Sequence, residues 1–430
     1  MDKNKRLTVW LPVIIAASIA LGIFIGNHYL SISQGKKRSY SSGNKINAIL
    51  DIIDEQYVDT VSMSKLVEST IPKIFSELDP HSVYIPAEDA SVVNEELEGS
   101  FSGIGVSFNM QTDTILVISV ISGGPAEKAG LLPFDRIISI NDSIFSGKKK
   151  NQGEIMKTLR GAKNSTVKLG VQRGNSPELL YFDVTRGDVP VNSVDVSYEA
   201  AKGIGYIKVS KFARNTYNEF ITAIAKLKQA GCTSFVIDLR GNTGGYMDAA
   251  INMINEFMPE GRLIVYTEGK SFPRSDVYAN GTGTCKDAPI VVLTDEISAS
   301  ASEIFSGAIQ DNDRGTIIGR RTYGKGLVQT QMSLSDGSEM RLTIARYYTP
   351  SGRCIQKKYE MGNTDAYDQD IYNRYMHGEF DSADSIKMDD SLKYQTVGGR
   401  TVYGGGGIMP DIFIPRDTSG VTSYYSNVVN

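Results

Sequence analysis

The chain has 430 residues, 41% of them hydrophobic, with Lys+Arg 45 against Asp+Glu 49 and a formal net charge of −4. That length supports two or three domains with hydrophobic cores, and the balanced charge supplies no basic field of the kind nucleic-acid binding needs. Cys232, Cys285 and Cys354 are odd in number and widely spaced, so they build neither a disulfide framework nor a CxxC metal knuckle and read as ordinary or core thiols.

Thr8 to Gly26 is an uncharged, mostly apolar run behind Lys3, Lys5 and Arg6. About 19 residues at 1.5 Å each nearly cross a hydrocarbon core. No small-residue cleavage site stands cleanly after Gly26, so residues 1–30 read as a membrane anchor in preference to a cleaved signal sequence. Lys36, Lys37 and Arg38 cancel the basic asymmetry and leave the orientation open. Either reading exports the remainder, with the catalytic part on the periplasmic or extracytoplasmic side. Residues 31–44, rich in Ser, Gly and Lys, read as a solvated linker.

In the helical region 45–99, Ile46, Ile49, Leu50, Ile53 and Tyr57 recur at helical spacing, as do Leu66, Val67, Ile71, Ile74, Phe75 and Leu78. Their apolar faces suit packing within the chain or a homo-oligomer formed through these helices, and the pattern does not choose. From Phe101 the period changes to short β-rich stretches, GIGVSF, ILVISVI, RIISIND and VKLGVQR, with a short helical pattern at Met156 and Leu159 and with SGGPAEKAGL as loop and turn. Over residues 100–186 this stretch resembles a PDZ domain. The resemblance implies that Gly103, Ile104, Gly105 and Val106 offer N–H groups to the terminal carboxylate of a peptide that adds as a strand.

From Gly203 strands and helices alternate. Ile204 to Val209 reads as a strand, Thr216 to Ala230 as an amphipathic helix ended by Gly231, and Phe235 to Leu239 as a buried strand. DLRGNTGG (238–245) then turns where open α/β sheets place their sites. PIVVL (289–293) leads into TDEISASASEIFSGAIQ, a strand, a tight turn and a helix starting near Ala301. At that helix start Ser300 has a nucleophile's setting, next to unpaired N–H groups. Read alone, Ser298, Ser300 and Ser302 are equally capping and packing residues.

A serine nucleophile needs a base, and His28, His81 and His377 all lie outside the α/β segment. A buried lysine can serve instead if loss of water depresses its pKa. Lys325 in TYGKGLVQ is the candidate, between Gly324 and Gly326 and ahead of the strand-like LVQTQMSL. Considered singly, it also reads as a solvated loop lysine.

Together these motifs, in the order PDZ, DLRGNTGG, SASASE, GKGLVQ and ARYYTPSGRCIQ, resemble the C-terminal processing peptidases, or tail-specific proteases, over residues 44–355. The resemblance implies Ser300 as nucleophile, Lys325 as general base and Gln329 as the residue orienting it. It also implies an oxyanion hole from Ala301 with Gly244 or Gly245, and no metal or organic cofactor. The implied fold is a mixed α/β (α+β) peptidase core over 187–355 with an inserted β-rich PDZ domain, an N-terminal helical segment and a single transmembrane anchor. Its partners would be exported proteins with free, apolar C-termini, besides the membrane.

Two rivals remain open. GRRTYGK (319–325) satisfies GxxxxGK, although Gly326 stands where a P-loop needs Ser or Thr and the next segment alternates like a strand. A catalytically idle PDZ scaffold is the other. Residues 356–399 form a polar insertion rich in Asp and Tyr, with surface loop as its default reading. The resemblance places residues 400–430 back in the core, and the stop at TSYYSNVVN reads as a truncation.

Overall fold

The computed structural model describes residues 16–23, 42–111, 114–147 and 152–417, in two compact units, Met1–Thr70 and Ile71–Asn430. The first unit holds a helix over residues 16–23 and α1 (Ser42–Gln56), on which Ile46, Ile49 and Ile52 are about half exposed. α2 (Met63–Phe75) begins in the first unit and ends in the second. The expected transmembrane anchor is overturned: among the described residues no helix is long and apolar enough to cross a membrane. Of Thr8–Gly26 only residues 16–23 are described, and the rest of that run lies outside the described residues, as do 31–41 of the linker and 418–430.

In the second unit β1 (Val83–Ile85) and α3 (Ala87–Glu98) lead through Gly99 into β2 (Ser100–Gly103). A β-rich insertion follows: β3 (Val106–Gln111), β4 (Thr114–Val120), α4 (Pro125–Ala129), β5 (Arg136–Ile140), β6 (Ser143–Ile144), α5 (Gln152–Leu159), β7 (Thr166–Gln172), β8 (Leu180–Thr185) and β9 (Gly187–Pro190). β2 and β9 pair antiparallel, so chain entry and exit form a two-stranded neck. The sheet runs β3-β4-β5-β7-β8 with β6 on β5. Alternate residues of its strands, among them Ile115, Val117, Ile137, Val167, Leu169 and Val171, are fully buried together, as a period of two dictates for a half-buried sheet. The stretch SGGPAEKAGL, read as loop and turn, contains α4, because Pro125 starts a helical turn without losing a needed donor and left-handed Gly130 ends it.

The core continues with β10 (Val194–Ala201), β11 (Ile204–Val209), α6 (Thr216–Gln229), β12 (Ser234–Asp238), α7 (Met247–Asn255), β13 (Leu263–Glu268), β14 (Ser275–Tyr278), β15 (Ile290–Thr294), α8 (Ala301–Asp311) and β16 (Thr316–Gly319). Then come β17 (Leu327–Ser333), β18 (Glu339–Tyr348), α9 (Thr364–Met376), β19 (Lys393–Gln395), β20 (Thr401–Tyr403) and β21 (Ile412–Phe413). One sheet is ordered β10-β11-β12-β15-β16-β21, antiparallel only at β10–β11. The other is ordered β1-β18-β13-β14 with β17 on β18. Phe220, Phe235, Phe257 and Phe305 meet edge to face between the first sheet and its helices, each such pair adding about 0.5–1.5 kcal/mol beyond burial. Parallel pairing of β12 with β15 sets DLRGNTGG and the SASASE turn side by side at the carboxyl ends of adjacent strands.

The polar stretch 356–399 is not a plain surface loop. It folds α9, with Tyr367 and Arg374 buried, and β19, which pairs with β20. After Gly326 the chain enters strand β17, so GxxxxGK opens no helix and the phosphate-loop rival fails on geometry.

One buried ion pair ties α8 to the SGRC turn. Arg353 and Asp311 are both fully buried, 2.7 Å apart, and the guanidinium also donates to Gln310 Oε1 and the Tyr403 carbonyl. Removing one member strands the other charge, so Arg353→Met should cost about 3–5 kcal/mol in urea unfolding. The double variant Arg353→Met, Asp311→Leu should recover part of that loss. A single variant as stable as the wild type would mean that the pair carries none of the docking.

Candidate active site

The nucleophile candidate occupies a strained backbone position. Ser300 is the N-cap of α8 with φ 54° and ψ −112°, a region costing a non-glycine residue of order 1–3 kcal/mol. Its neighbours set the hydroxyls of Ser298 and Ser302 into backbone: Ser298 Oγ donates to the Leu239 carbonyl at 2.9 Å and Ser302 Oγ to the Asn242 carbonyl at 2.9 Å. The bland reading thus holds for those two serines, which stitch the SASASE turn to DLRGNTGG. Ser300 caps α8 as well, and it also lines the cleft.

The glycine turn fits because it lacks side chains. A Cβ on Gly244 would lie 2.8 Å from Ser300 Cβ and 2.7 Å from the Ala299 carbonyl oxygen, and one on Gly245 2.1 Å from the Phe212 carbonyl oxygen. Buried Asn242, which sequence reasoning passed over, is the hinge pin. Its Nδ2 donates to the Val209 carbonyl at 3.0 Å, its Oδ1 accepts Gly244 N–H at 2.8 Å, and its carbonyl accepts Ala299 N–H at 3.0 Å. Gly244 N–H is therefore engaged. The N–H groups of Ala301 and Gly245 have no acceptor among the described residues, which favours Gly245 of the two glycines as a free donor.

Glu303 ties the nucleophile to the lysine loop. It is fully buried at the third position of α8, and its carboxylate accepts Ser300 N–H at 2.8 Å, Thr322 Oγ1–H at 2.5 Å, Gly324 N–H at 2.7 Å and Lys325 N–H at 2.8 Å. Burial outweighs the pull of those donors and leaves its carboxyl up at about 7. Tyr347 adds a second tie, its hydroxyl donating to the Ser300 carbonyl at 3.1 Å and contacting the Lys325 carbonyl. The signal for Glu303 was in the sequence, as Ser-x-x-Glu at a helix start, but its reach to residue 325 was not.

Ser300, Lys325, Gln329, Gly244 and Gly245 all line one cleft of about 790 Å³. Burial holds the Lys325 ammonium below the ordinary 10.5, Arg341 pushes the same way, and Glu303 and Asp79 oppose. Gln329 lies on β17, and its Nε2 has Thr343 Oγ1 as partner at 3.5 Å. His81, assigned by sequence to a segment outside the core, comes close enough for the Lys325 charge to act on it. Burial, Lys325 and Lys357 lower it to about 4 against Asp79, so it is neutral at neutral pH.

The remaining expected site lies in the inserted domain. Gly103 closes β2, Val106 opens β3, and Ile104 is buried between them, with its carbonyl accepting Ala126 N–H at 2.7 Å. β3 is an edge strand among the described residues, the arrangement that strand addition needs. The neck reaches toward the cleft: Glu98, just before Gly99, holds Arg214 through two bonds of 2.8 Å and accepts the hydroxyl of cleft-lining Tyr246 at 3.0 Å.

Because φ 54° suits glycine, Ser300→Gly should raise stability by about 1 kcal/mol while removing the hydroxyl. Chemical unfolding checks this, and a destabilised, correctly folded Ser300→Gly would show that the turn stores no strain.

Residues 203–365 match the family model "Peptidase family S41", and residues 102–195 match "PDZ domain". Carboxy-terminal processing protease CtpB of Bacillus subtilis is 35% identical over 318 residues, 73% of this chain and 66% of that protein. A probable CtpA-like serine protease of Staphylococcus aureus (strain N315) is 33% identical over 365 residues, 83% of this chain and 72% of that protein. The solved photosystem II D1 C-terminal processing protease is 25% identical, with 87% of this chain and 94% of that one covered at a TM-score of 0.44. On the identity and span of its sequence matches, the chain belongs to the C-terminal processing peptidases of family S41, which are serine-type peptidases, and it carries a PDZ domain.

Proposed function

We propose that the chain is an endopeptidase that takes the C-terminal tails of exported proteins on its PDZ domain and cleaves them through an acyl-enzyme on Ser300. The observation that carries this reading is the common attachment of Ser300 and Lys325 to Glu303 at the edge of one cleft. In the proposed cycle neutral Lys325 takes the Ser300 proton as the serine oxygen attacks the scissile carbonyl. The N–H groups of Ala301 and Gly245 receive the developing oxyanion. Lys325 then passes its proton to the leaving amine, and later draws one from the water that hydrolyses the ester. Gln329 is assigned to orienting the lysine by resemblance, and Gly244 to shaping the turn.

Recognition of the tail is assigned to Gly103, Ile104, Gly105 and Val106, with the peptide added along the free edge of β3. Self-association through α1 belongs to the same proposal, since Ile46, Ile49 and Ile52 are half exposed there.

Ser300→Ala and Lys325→Ala should each reduce cleavage of a tailed protein by at least about 10³-fold, the scale of losing one member of a nucleophile–base unit, with peptide binding retained. Full activity in Lys325→Ala would remove the base assignment. The base works only when neutral, so activity should be present above the Lys325 pKa and fall as pH drops through it, with that limb below 10.5. Lys325→Arg, which cannot deprotonate, should be inactive at every pH. Substrates differing only in a free or amidated C-terminus test the tail: equal rates for both would eliminate carboxylate recognition.

A further inference from the structure

The first two residues of the polar insertion are bonded to both glycines that flank Lys325. Gln356 Oε1 accepts Gly326 N–H at 2.7 Å, and Lys357 N–H donates to the Gly324 carbonyl at 2.9 Å. Gln356 Nε2 donates to the Lys357 carbonyl at 2.9 Å and to Tyr367 Oη at 3.3 Å, and that hydroxyl meets His81 Nε2 at 2.9 Å. The Tyr367 hydroxyl thus accepts from Gln356 and pairs with His81 Nε2, the tautomer of the neutral ring setting which of the two donates.

The rest of α9 reinforces the same loop. The Lys357 ammonium lies 4.0 Å from the rings of both Tyr323 and Tyr367 and donates to the Tyr367 carbonyl at 3.0 Å. Arg374 donates to the carbonyls of Thr322 at 3.0 Å and Arg321 at 2.8 Å. Residues 321–326 are thus held from one side by Glu303 and from the other by Gln356, Lys357 and Arg374 of α9. Tyr367 is 3% and Arg374 4% exposed, so these contacts are shielded from water and each lost bond leaves a buried polar group unpaired.

We propose that Gln356 and Tyr367 are positioning residues for Lys325, bracing the backbone of its loop, together with His81, so that the side chain enters the cleft out of water and beside Ser300. The proposal rests on the reading of Lys325 as general base. The charged and titratable groups around Lys325 are Glu303 from α8, Arg341 from β18, and Asp79 and His81 from the segment before β1. The brace of Gln356, Tyr367 and neutral His81 carries no charge at neutral pH, so loosening it acts through solvation: a lysine that reaches water regains proton affinity.

The test uses the full chain. Tyr367→Phe removes one hydroxyl while keeping the ring against Lys357, and Gln356→Met removes the acceptor for Gly326 N–H. Each should lower kcat by about tenfold to a hundredfold, the scale of a misplaced catalytic group, with KM within about twofold. The acid limb of kcat/KM should move to higher pH. Independently of turnover, competitive acetylation with acetic anhydride across pH, quantified at Lys325 by mass spectrometry, should show its midpoint moving upward in both variants. A folded variant whose midpoint and limb match the wild type overturns the proposal, as does a fall in kcat with an unmoved midpoint. Should one variant unfold, the other decides. If the wild type shows no Ser300-dependent cleavage while the midpoints still move, the peptidase reading fails and the brace stands.

Discussion

Four donors from two separate loops converge on the Glu303 carboxylate, and the geometry of the site depends on that convergence. A carboxyl buried in the first turn of α8 carries a desolvation penalty that a lone side chain would relieve by taking up a proton. Here Ser300 N–H, Thr322 Oγ1–H, Gly324 N–H and Lys325 N–H offset part of it, as the helix N-terminus also does, yet burial still leaves the carboxyl up at about 7. The consequence is mutual: the donors lower the cost of burying the carboxyl group, and its two oxygens hold the backbone of Ser300 and Lys325 in register. Ser300 can then stay at a positive φ that an unsupported turn would relax.

That knot works because the sheet delivers its parts to one place. Parallel β12 and β15 end side by side, so the glycine turn and the nucleophile turn emerge in contact, and Asn242, Ser298 and Ser302 convert that contact into hydrogen bonds. The glycines then let the two backbones approach within distances no side chain permits. The same turn continues into Tyr246, which is bonded to Glu98 at the root of the PDZ neck. A contiguous set of polar contacts therefore runs from the inserted domain's stalk to the floor of the cleft.

Local chemistry made much of this legible in advance. Strand 204–209 coincides with β11, the helix start at Ala301 with α8, and the alternating LVQTQMSL with β17, because each segment's period, cap or turn residue agrees with its final environment. The failures have physical reasons too. The apolar run near the N-terminus reads as a span by length and charge alone, yet no described helix is long and apolar enough to be one. The insertion 356–399 reads as loop because it is polar, but its polar groups are paired inward: Arg374 with backbone carbonyls and Lys357 with tyrosine rings. Composition cannot distinguish a solvated polar residue from a buried, satisfied one.

By itself the sequence determined the alternation of strands and helices, the glycines that two touching turns require, the scarcity of histidine that turned attention to a lysine, and the order of motifs that carries the family resemblance. Those are properties of neighbours along the chain, where spacing and residue type act directly. Only the tertiary structure decided that Glu303 serves two loops, that Asn242 engages Gly244 and leaves Gly245, that Gln329 meets Thr343, and that His81 and Tyr367 stand behind the lysine loop. Apart from Asn242–Gly244, which is local but depends on Asn242 being pinned to Val209, those contacts join residues 14 to 286 positions apart, and burial and hydrogen-bond pairing at such separations exist only once the sheets have closed around them.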